Sequence, residues 1–398
     1  MSALSRRPPK IPLLTALIST SAIAYNLYLP SLPEIGRIFA VDSATVQVTL
    51  IVFLIGYATA QFFYGGVADR FGRRPVLLWA LAIFAVASIA CALATTLTEL
   101  IGWRILQAIG AAGPIVLVRA MVRDLFDRKS SARALAVIST VMVFAPATGP
   151  AIGGWLQTEY GWQASFLVLG GIGVVMWLYC FFLMAETNLP EGGNLLSNLR
   201  KLGEGYRVLV GERAYVAYSL NIGFISGGIF AWLAETPIVL IESYGLSPDE
   251  YGLLLLTATV GAFLGYANAI WMTTRFGVNR MIVVGTLTGF VGASIYIGLP
   301  LAGVLTPWAA VTPMMLYSFG LAITFPSVMA AAVSVRPEYA GTAAAMNGLV
   351  QYGTAAATTL LIGQLPHDTH LPLACLVFAM QAAAVIAALV GWRARPAE

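Results

Sequence analysis

The sequence predicts an all-α integral membrane protein of twelve transmembrane helices arranged as two six-helix pseudo-repeats. Three observations predict it. The 398 residues are 59% hydrophobic and 10% charged, with a mean hydropathy of +0.82, whereas soluble domains carry roughly 25% charged residues. Apolar runs of the length a bilayer demands, roughly 20 residues, recur along the chain, and a single polar stretch divides them into two sets of six. A water-soluble globule cannot hide that much apolar surface.

The runs lie at about 11–33, 44–66, 76–96, 98–121, 132–156 and 162–184. A polar stretch from Glu186 to Arg213 follows, with Pro190, Gly192, Gly193 and several charges. The runs then resume at about 214–241, 250–272, 281–299, 308–333, 341–363 and 371–392. The expected organisation is an N-terminal bundle over 1–185, a linker over 186–213 and a C-terminal bundle over 214–398. Arg6, Arg7 and Lys10 before the first run imitate a signal peptide, but the run exceeds a usual h-region and leads straight into further spans, so it reads as a retained helix.

Lys and Arg in short loops set orientation. Arg70, Arg73 and Arg74 follow the second span, Arg123, Arg128, Lys129 and Arg133 the fourth, and Arg200, Lys201, Arg207 and Arg213 fill the linker. Arg275, Arg280, Arg336, Arg393 and Arg395 continue the series, against Arg37 alone on the opposite side. Both termini and the linker are therefore expected in the cytoplasm. The net charge of +4 and pI near 9.0 follow from this topology and do not point to a nucleic-acid partner. Cys91, Cys180 and Cys375 sit singly inside apolar runs and read as small buried hydrophobes. The halves echo each other: Asp69-Arg70-Phe71-Gly72-Arg73 and Thr274-Arg275-Phe276-Gly277-Val278 stand 205 residues apart (274 − 69). Such repeats imply a central cavity at the midplane.

Gly65-Gly66-Val67-Ala68-Asp69-Arg70-Phe71-Gly72-Arg73-Arg74-Pro75 closely resembles the signature loop of the major facilitator superfamily. Arg104-Ile105-Leu106-Gln107-Ala108-Ile109-Gly110 is similar to its second motif, and Ala145-Pro146-Ala147-Thr148-Gly149-Pro150-Ala151-Ile152-Gly153-Gly154 to the motif that marks its drug-type antiporters. Tyr28-Leu29-Pro30-Ser31-Leu32-Pro33, Gly161-Trp162-Gln163-Ala164-Ser165-Phe166 and Gly245-Leu246-Ser247-Pro248 resemble the bicyclomycin and chloramphenicol resistance branch, the Bcr/CflA type. The resemblance implies export of small molecules across a bacterial inner membrane, driven by inward proton flow. That branch usually carries an aspartate where this chain has Asn26, and an amide cannot take up a proton as a carboxylate does.

In the loop motif, Gly65 and Gly72 are expected to form a tight turn with Arg70 and Arg74 as basic anchors, while Asp69 pairs with Arg73 or Arg123 as a gate latch. Arg104 lies among apolar residues, where a mid-membrane charge costs about 2.5–3.5 kcal/mol on insertion scales. It either faces the cavity, biasing a nearby proton site or holding an anionic group, or snorkels to the outer interface. Pro146, Gly149, Pro150, Gly153 and Gly154 predict a bent, close-packed fifth span at the contact between halves.

Glu235, in Ala234-Glu235-Thr236-Pro237, is the candidate replacement carboxylate. It is expected on one face with Tyr218, Asn221 and Trp232, where it either carries protons, binds a cationic group or reaches outer water through the break at Pro237. Tyr25, Asn26, Gln107, Tyr218, Asn221, Trp232, Tyr317, Asn347 and Gln351 are candidate substrate contacts; Thr15 and Ser19 share a cavity-lining face with Asn26, and Thr354 and Thr358 extend the stripe on span 11. His367-Asp368-Thr369-His370 occupies one short outer loop and reads as solvated, not metal-binding.

The reading is a proton-driven exporter of small amphiphilic or drug-like molecules that works by alternating access. Its expected partners are a small-molecule substrate, protons and the lipid bilayer, with no cofactor or metal, and it is expected to function as a monomer. An uncoupled facilitator or importer is the alternative that Asn26 keeps open. A membrane-embedded enzyme fits less well, because the spans carry no histidine and no Ser-His-Asp set. No Gly-x-x-x-x-Gly-Lys-Ser/Thr loop is present to bind ATP.

Overall fold

The computed structural model describes residues 9–127, 144–188 and 195–394, with positions 130, 134 and 138. Arg6, Arg7, Arg128, Lys129, Arg133, Pro190, Gly192, Gly193, Arg395 and the stretch 139–143 of the fifth span lie outside the described residues, as do the side chains of Pro146, Arg200 and Lys201.

The N-terminal half comprises α1 (Ile11–Ile38), α2 (Ser43–Phe71), α3 (Arg73–Ala92), α4 (Leu97–Leu125), α5 (Phe144–Tyr160) and α6 (Trp162–Leu183). The C-terminal half comprises α7 (Arg213–Ser243), α8 (Pro248–Phe276), α9 (Val278–Leu301), α10 (Pro307–Val335), α11 (Ala340–Ile362) and α12 (Leu371–Ala394). With six spans in each half, both chain ends emerge on one face, termed here the terminal face; the opposite face is the distal one. Ten of these helices are long and apolar enough to cross a membrane. Of the other two, α5 is described over only 17 residues, and α11 is made polar by Asn347, Gln351 and its threonines. Trp79, Val86, Leu253, Ile270 and Ile386 point outward at more than 60% exposure, a girdle that only bilayer hydrocarbon can cover.

Three features depart from the sequence expectation. The first span is not one helix: its α-helical part ends at Asn26, a 3-10 turn covers Leu29–Ser31, and a second short helix runs Leu32–Ile38. Pro30 and Pro33 explain the break, since each removes a backbone donor. The linker contains a helix, Leu195–Gly211, because Leu195, Leu199, Leu202, Tyr206 and Leu209 repeat at helical spacing. In α7 the last six residues, Ile238–Ser243, wind as a π-helix after Pro237, whose missing N–H lets the turn widen.

The repeat is visible in the backbone. Gly72 closes α2 at φ +92° and Gly277 closes α8 at φ +85°, and each donates its N–H to the carbonyl four residues earlier, Ala68 and Thr273. A positive φ of this kind is open to glycine at no steric cost, so the two echoed loops need glycine for the same reason. Gly65, by contrast, lies inside α2 with open space beside it; the turn of the signature loop is Gly72 alone.

Several helix pairs pack closely through glycine, and α5 is one of these places. A side chain at Gly149 would press on Asn26 of α1, one at Gly153 on the Leu27 carbonyl, and one at Gly154 on the Pro248 carbonyl of α8. Gly252 of α8 returns the contact on Pro150. The fifth span thus meets α1 of its own half and α8 of the other half. Cys91 and Cys180 are buried as expected, whereas Cys375 is exposed: α12 turns that position outward.

Candidate functional site

Four groups of chemically active side chains are built on this frame. The first joins the halves near the distal face. Among the described residues Glu235 is the carboxylate that is buried, at 1% exposure. Its Oε2 accepts from Gln47 Nε2 of α2 at 2.7 Å, and its Oε1 is paired with His367 Nδ1 from the loop between α11 and α12. Burial excludes the reading in which this acid reaches water through the break at Pro237. The loop is solvated only in part: Asp368 is exposed and His367 half-buried, but both histidines are engaged by the protein. Ser243 donates to the His367 carbonyl at 2.8 Å, and His370 is fully buried, bonded to the Tyr244 hydroxyl at 2.6 Å and stacked on Tyr296. Burial drives the His370 pKa down to about 4, while the Glu235 carboxylate raises that of His367 above the usual imidazole range.

The second group surrounds Arg104, which is fully buried and does not snorkel. Its guanidinium lies between the rings of Tyr28 and Phe53, 4.1 and 4.2 Å from their centroids. Its Nη1 donates to Gln107 Oε1 at 2.5 Å, and Gln107 passes the polarity on to Ser88 at 2.8 Å. Longer contacts reach the Thr49 and Ala24 carbonyls. Ring quadrupoles and carbonyl dipoles replace part of the water that this cation gave up, while Nη2 is buried without a hydrogen-bond partner.

The third group is aromatic and bridges the halves at mid-membrane. Tyr25 meets Phe230 edge-on at 5.0 Å, Tyr57 meets Tyr352 at 4.9 Å, and Phe230 approaches Tyr352 at 5.8 Å. Phe53 stacks on Tyr57 at 5.9 Å and so joins this cluster to Arg104. The Tyr25 hydroxyl and Asn26 Oδ1 are buried without a protein partner. Phe53, Tyr57, Phe230 and Tyr352 were not foreseen. Phe53 and Tyr57 stand four apart on one face of α2, but in a membrane helix the same spacing also serves faces turned to lipid.

Several sequence candidates lie elsewhere. Trp232 donates to the Ala310 carbonyl at 3.1 Å, Asn221 to Thr286 and the Ala384 carbonyl, Tyr218 to Asn279, and Tyr317 to the Ile225 carbonyl at 2.7 Å. All five bonds stay within the C-terminal half, and none of them is made to Glu235. Asn347 accepts from Ser219 at 2.5 Å and Thr358 donates to the Gly227 carbonyl at 2.9 Å; the stripe on α11 fastens that span to α7, leaving Gln351 half-buried. On the first span, Thr15 and Ser19 spend their hydroxyls on the helix's own carbonyls.

The fourth group lies on the terminal face. Arg73 pairs with Asp69 at 2.6 Å and with Asp124 of α4 at 3.1 Å, and Glu186, at the end of α6, accepts from the backbone N–H groups of Arg73 and Arg74 at 2.9 and 3.0 Å. Arg70 lies exposed over Phe71. These bonds tie α2, α3, α4 and α6 of one half; the sequence reading gave neither Asp124 nor Glu186 a part in the latch.

The sequence profile described as Major Facilitator Superfamily matches residues 14–359. The chain belongs to the Major Facilitator Superfamily. It is a membrane transporter, not an enzyme. It is 27% identical over 374 residues to the bicyclomycin resistance protein homolog of Haemophilus influenzae, covering 92% of this chain and 90% of that one. It is 28% identical over 342 residues to multidrug resistance protein D of Escherichia coli, covering 85% and 84%. Among solved structures it is similar to a D-xylose–proton symporter at TM-score 0.76 and 17% identity, over 97% and 98% of the two chains. The last likeness concerns the fold, and it supports the twelve-helix superfamily architecture.

Proposed function

We propose that the chain exports small amphiphilic or drug-like molecules by proton antiport, with Glu235 as the carboxylate that carries the proton. The observation that carries this reading is Glu235 itself: a buried acid of the C-terminal half bonded across to Gln47 of the N-terminal half. Relatives named for bicyclomycin and multidrug resistance support the substrate class. The loop arginines support a terminal face in the cytoplasm of a bacterial inner membrane, which makes the distal face the outer one. The protein works as a monomer, its two halves rocking about α5 and α8.

In the described state Gln47 donates to Glu235 and the outer side is joined. Rocking outward carries Gln47 away with its half, and Glu235, freed of that bond, accepts a proton. Return to the joined state restores the Gln47 bond and expels the proton inward. Substrate occupies the interface of Tyr25, Phe53, Tyr57, Phe230 and Tyr352, whose rings offer flat apolar contact, with Asn26 Oδ1 and the Tyr25 hydroxyl as orienting groups. The signature-loop ion pairs keep the N-terminal half rigid during this motion.

The test is efflux from proteoliposomes under an imposed pH gradient, with a pH-sensitive dye and a panel of planar amphiphilic compounds, comparing the native chain with Glu235→Gln. Substrate-dependent proton movement lost in the variant supports antiport through Glu235. Transport indifferent to the gradient, or coupling unchanged in Glu235→Gln, overturns it.

A further inference from the structure

A cavity of about 660 Å³ opens on the distal face between the two halves, lined by Arg37 and Asp42 from one side and Glu242 and His367 from the other. Glu235 does not line it: its side chain is 2% exposed, whereas that of His367 is 27% exposed and paired with it. His367 therefore stands between water and the buried acid. The geometry points to His367 as the relay that passes protons from the distal vestibule to Glu235. This inference rests on the proposed role of Glu235 and names how the proton reaches it.

The argument comes from which parts move together. Glu235 is on α7 and His367 on the loop before α12, both in the C-terminal half, while Gln47 belongs to the other half. Rocking the halves apart breaks the Gln47 bond and leaves the His367 contact in place. The imidazole thus still covers the carboxylate when the vestibule is widest, held there by Ser243 on its own carbonyl and by the neighbouring Tyr244–His370 bond. A ring with two nitrogens suits the task. Nε2 takes a proton from vestibule water as the Nδ1 proton leaves for Glu235 Oε1, so the ring ends neutral and the acid protonated. Rotation of the ring, or exchange of its proton with water, resets it.

The electrostatic surroundings favour a proton at this place. His367 feels Glu235, Glu242 and Asp368 as negative neighbours. Asp42, across the vestibule, is within electrostatic reach of His367, and Arg37 acts on Glu242. Tyr244 and His370 at the loop, and Tyr296 of α9 beside Glu235, complete the set of titratable groups. The acids outnumber Arg37, and His367 is the member of the set that both touches Glu235 and lines the cavity.

The experiment uses the full-length protein and needs no substrate. After an acid jump, time-resolved infrared spectroscopy follows the protonated-carboxyl stretch assigned to Glu235 by its loss in Glu235→Gln. His367→Ala is expected to slow its appearance at least about tenfold, the scale of a positioned proton-transfer group, and imidazole added to the medium is expected to restore the rate. His367→Gln, which keeps a hydrogen-bond donor toward Glu235, serves as a folded control and is expected to be slow as well. An unchanged rate in both variants, or no carboxyl band that Glu235→Gln removes, overturns the relay. Failure of the antiport reading is seen separately, as substrate-driven proton movement that persists in Glu235→Gln.

Discussion

Replacing Gln47 by Leu removes one donor from a buried carboxylate and nothing else that is charged. The bond is 2.7 Å long, joins α2 to α7, and is fully enclosed. A hydrogen bond to a charged group contributes about 1.5–3 kcal/mol, and every 1.4 kcal/mol is about tenfold in a ratio of states. Gln47→Leu should therefore shift the balance between joined and separated distal faces toward separation by about 10- to 100-fold. Spin labels at Ala40 and Gln364, on opposite walls of the distal cavity, report that separation as a distance distribution in a background free of Cys91, Cys180 and Cys375. The shift should vanish when Glu235→Gln is already present, because the two residues act through one bond and their effects cannot add. An unchanged distribution in Gln47→Leu, or full additivity with Glu235→Gln, would refute the idea that this bond holds the distal face closed.

Other consequences can be checked directly. Arg104→Lys keeps the charge but loses the flat stacking on Tyr28 and Phe53 and the bond to Gln107; a loss of about 2 kcal/mol should appear as a lower melting midpoint in detergent. Gly153→Ala forces a methyl group onto the Leu27 carbonyl and should destabilise by about 1–3 kcal/mol, whereas Gly65→Ala has open space and should be neutral or gain up to about 1 kcal/mol of helix propensity. Tyr57→Ala should weaken binding of planar amphiphiles by about 0.5–1.5 kcal/mol in a fluorescence titration, while Tyr317→Phe should leave binding unchanged and lower stability by about 1 kcal/mol. The His367–Glu235 contact raises the His367 pKa in the folded state. Its stabilisation is therefore complete below about pH 6.5 and is lost as pH rises through the raised value, so the alkaline fall in melting midpoint should be absent in His367→Gln.

The architecture was legible because hydropathy and loop charge act over whole segments. The apolar runs recur as helices and the Gly72/Gly277 echo recurs in the backbone, with the start of the fifth run outside the described residues. Individual partnerships were less legible, since a helix face predicted from spacing has neighbours that only the packing decides. Glu235, Trp232 and Asn221 recur at helical spacing, yet Glu235 reaches Gln47 in the other half while Trp232 and Asn221 bond inside their own. His367 and His370 looked like loop residues because short polar loops are usually wet; the buried Tyr296 that draws His370 inward lies more than 70 residues away in sequence. Arg104 was recognised as costly to bury, but the two rings that compensate it come from α1 and α2, distant in sequence from α4.

The polarity of α11 bears on how the chain is made. A span carrying Asn347, Gln351 and several threonines partitions poorly into lipid when it leaves the translocon by itself. In the finished protein Asn347 and Thr358 are satisfied by Ser219 and the Gly227 carbonyl of α7, a helix synthesised more than 100 residues earlier. Biogenesis therefore has an order: α7 must already be in the bilayer, with its polar groups waiting, before α11 can settle. A truncation that removes α7 should leave α11 looping out of the membrane, exposed to protease, although α11 itself is untouched.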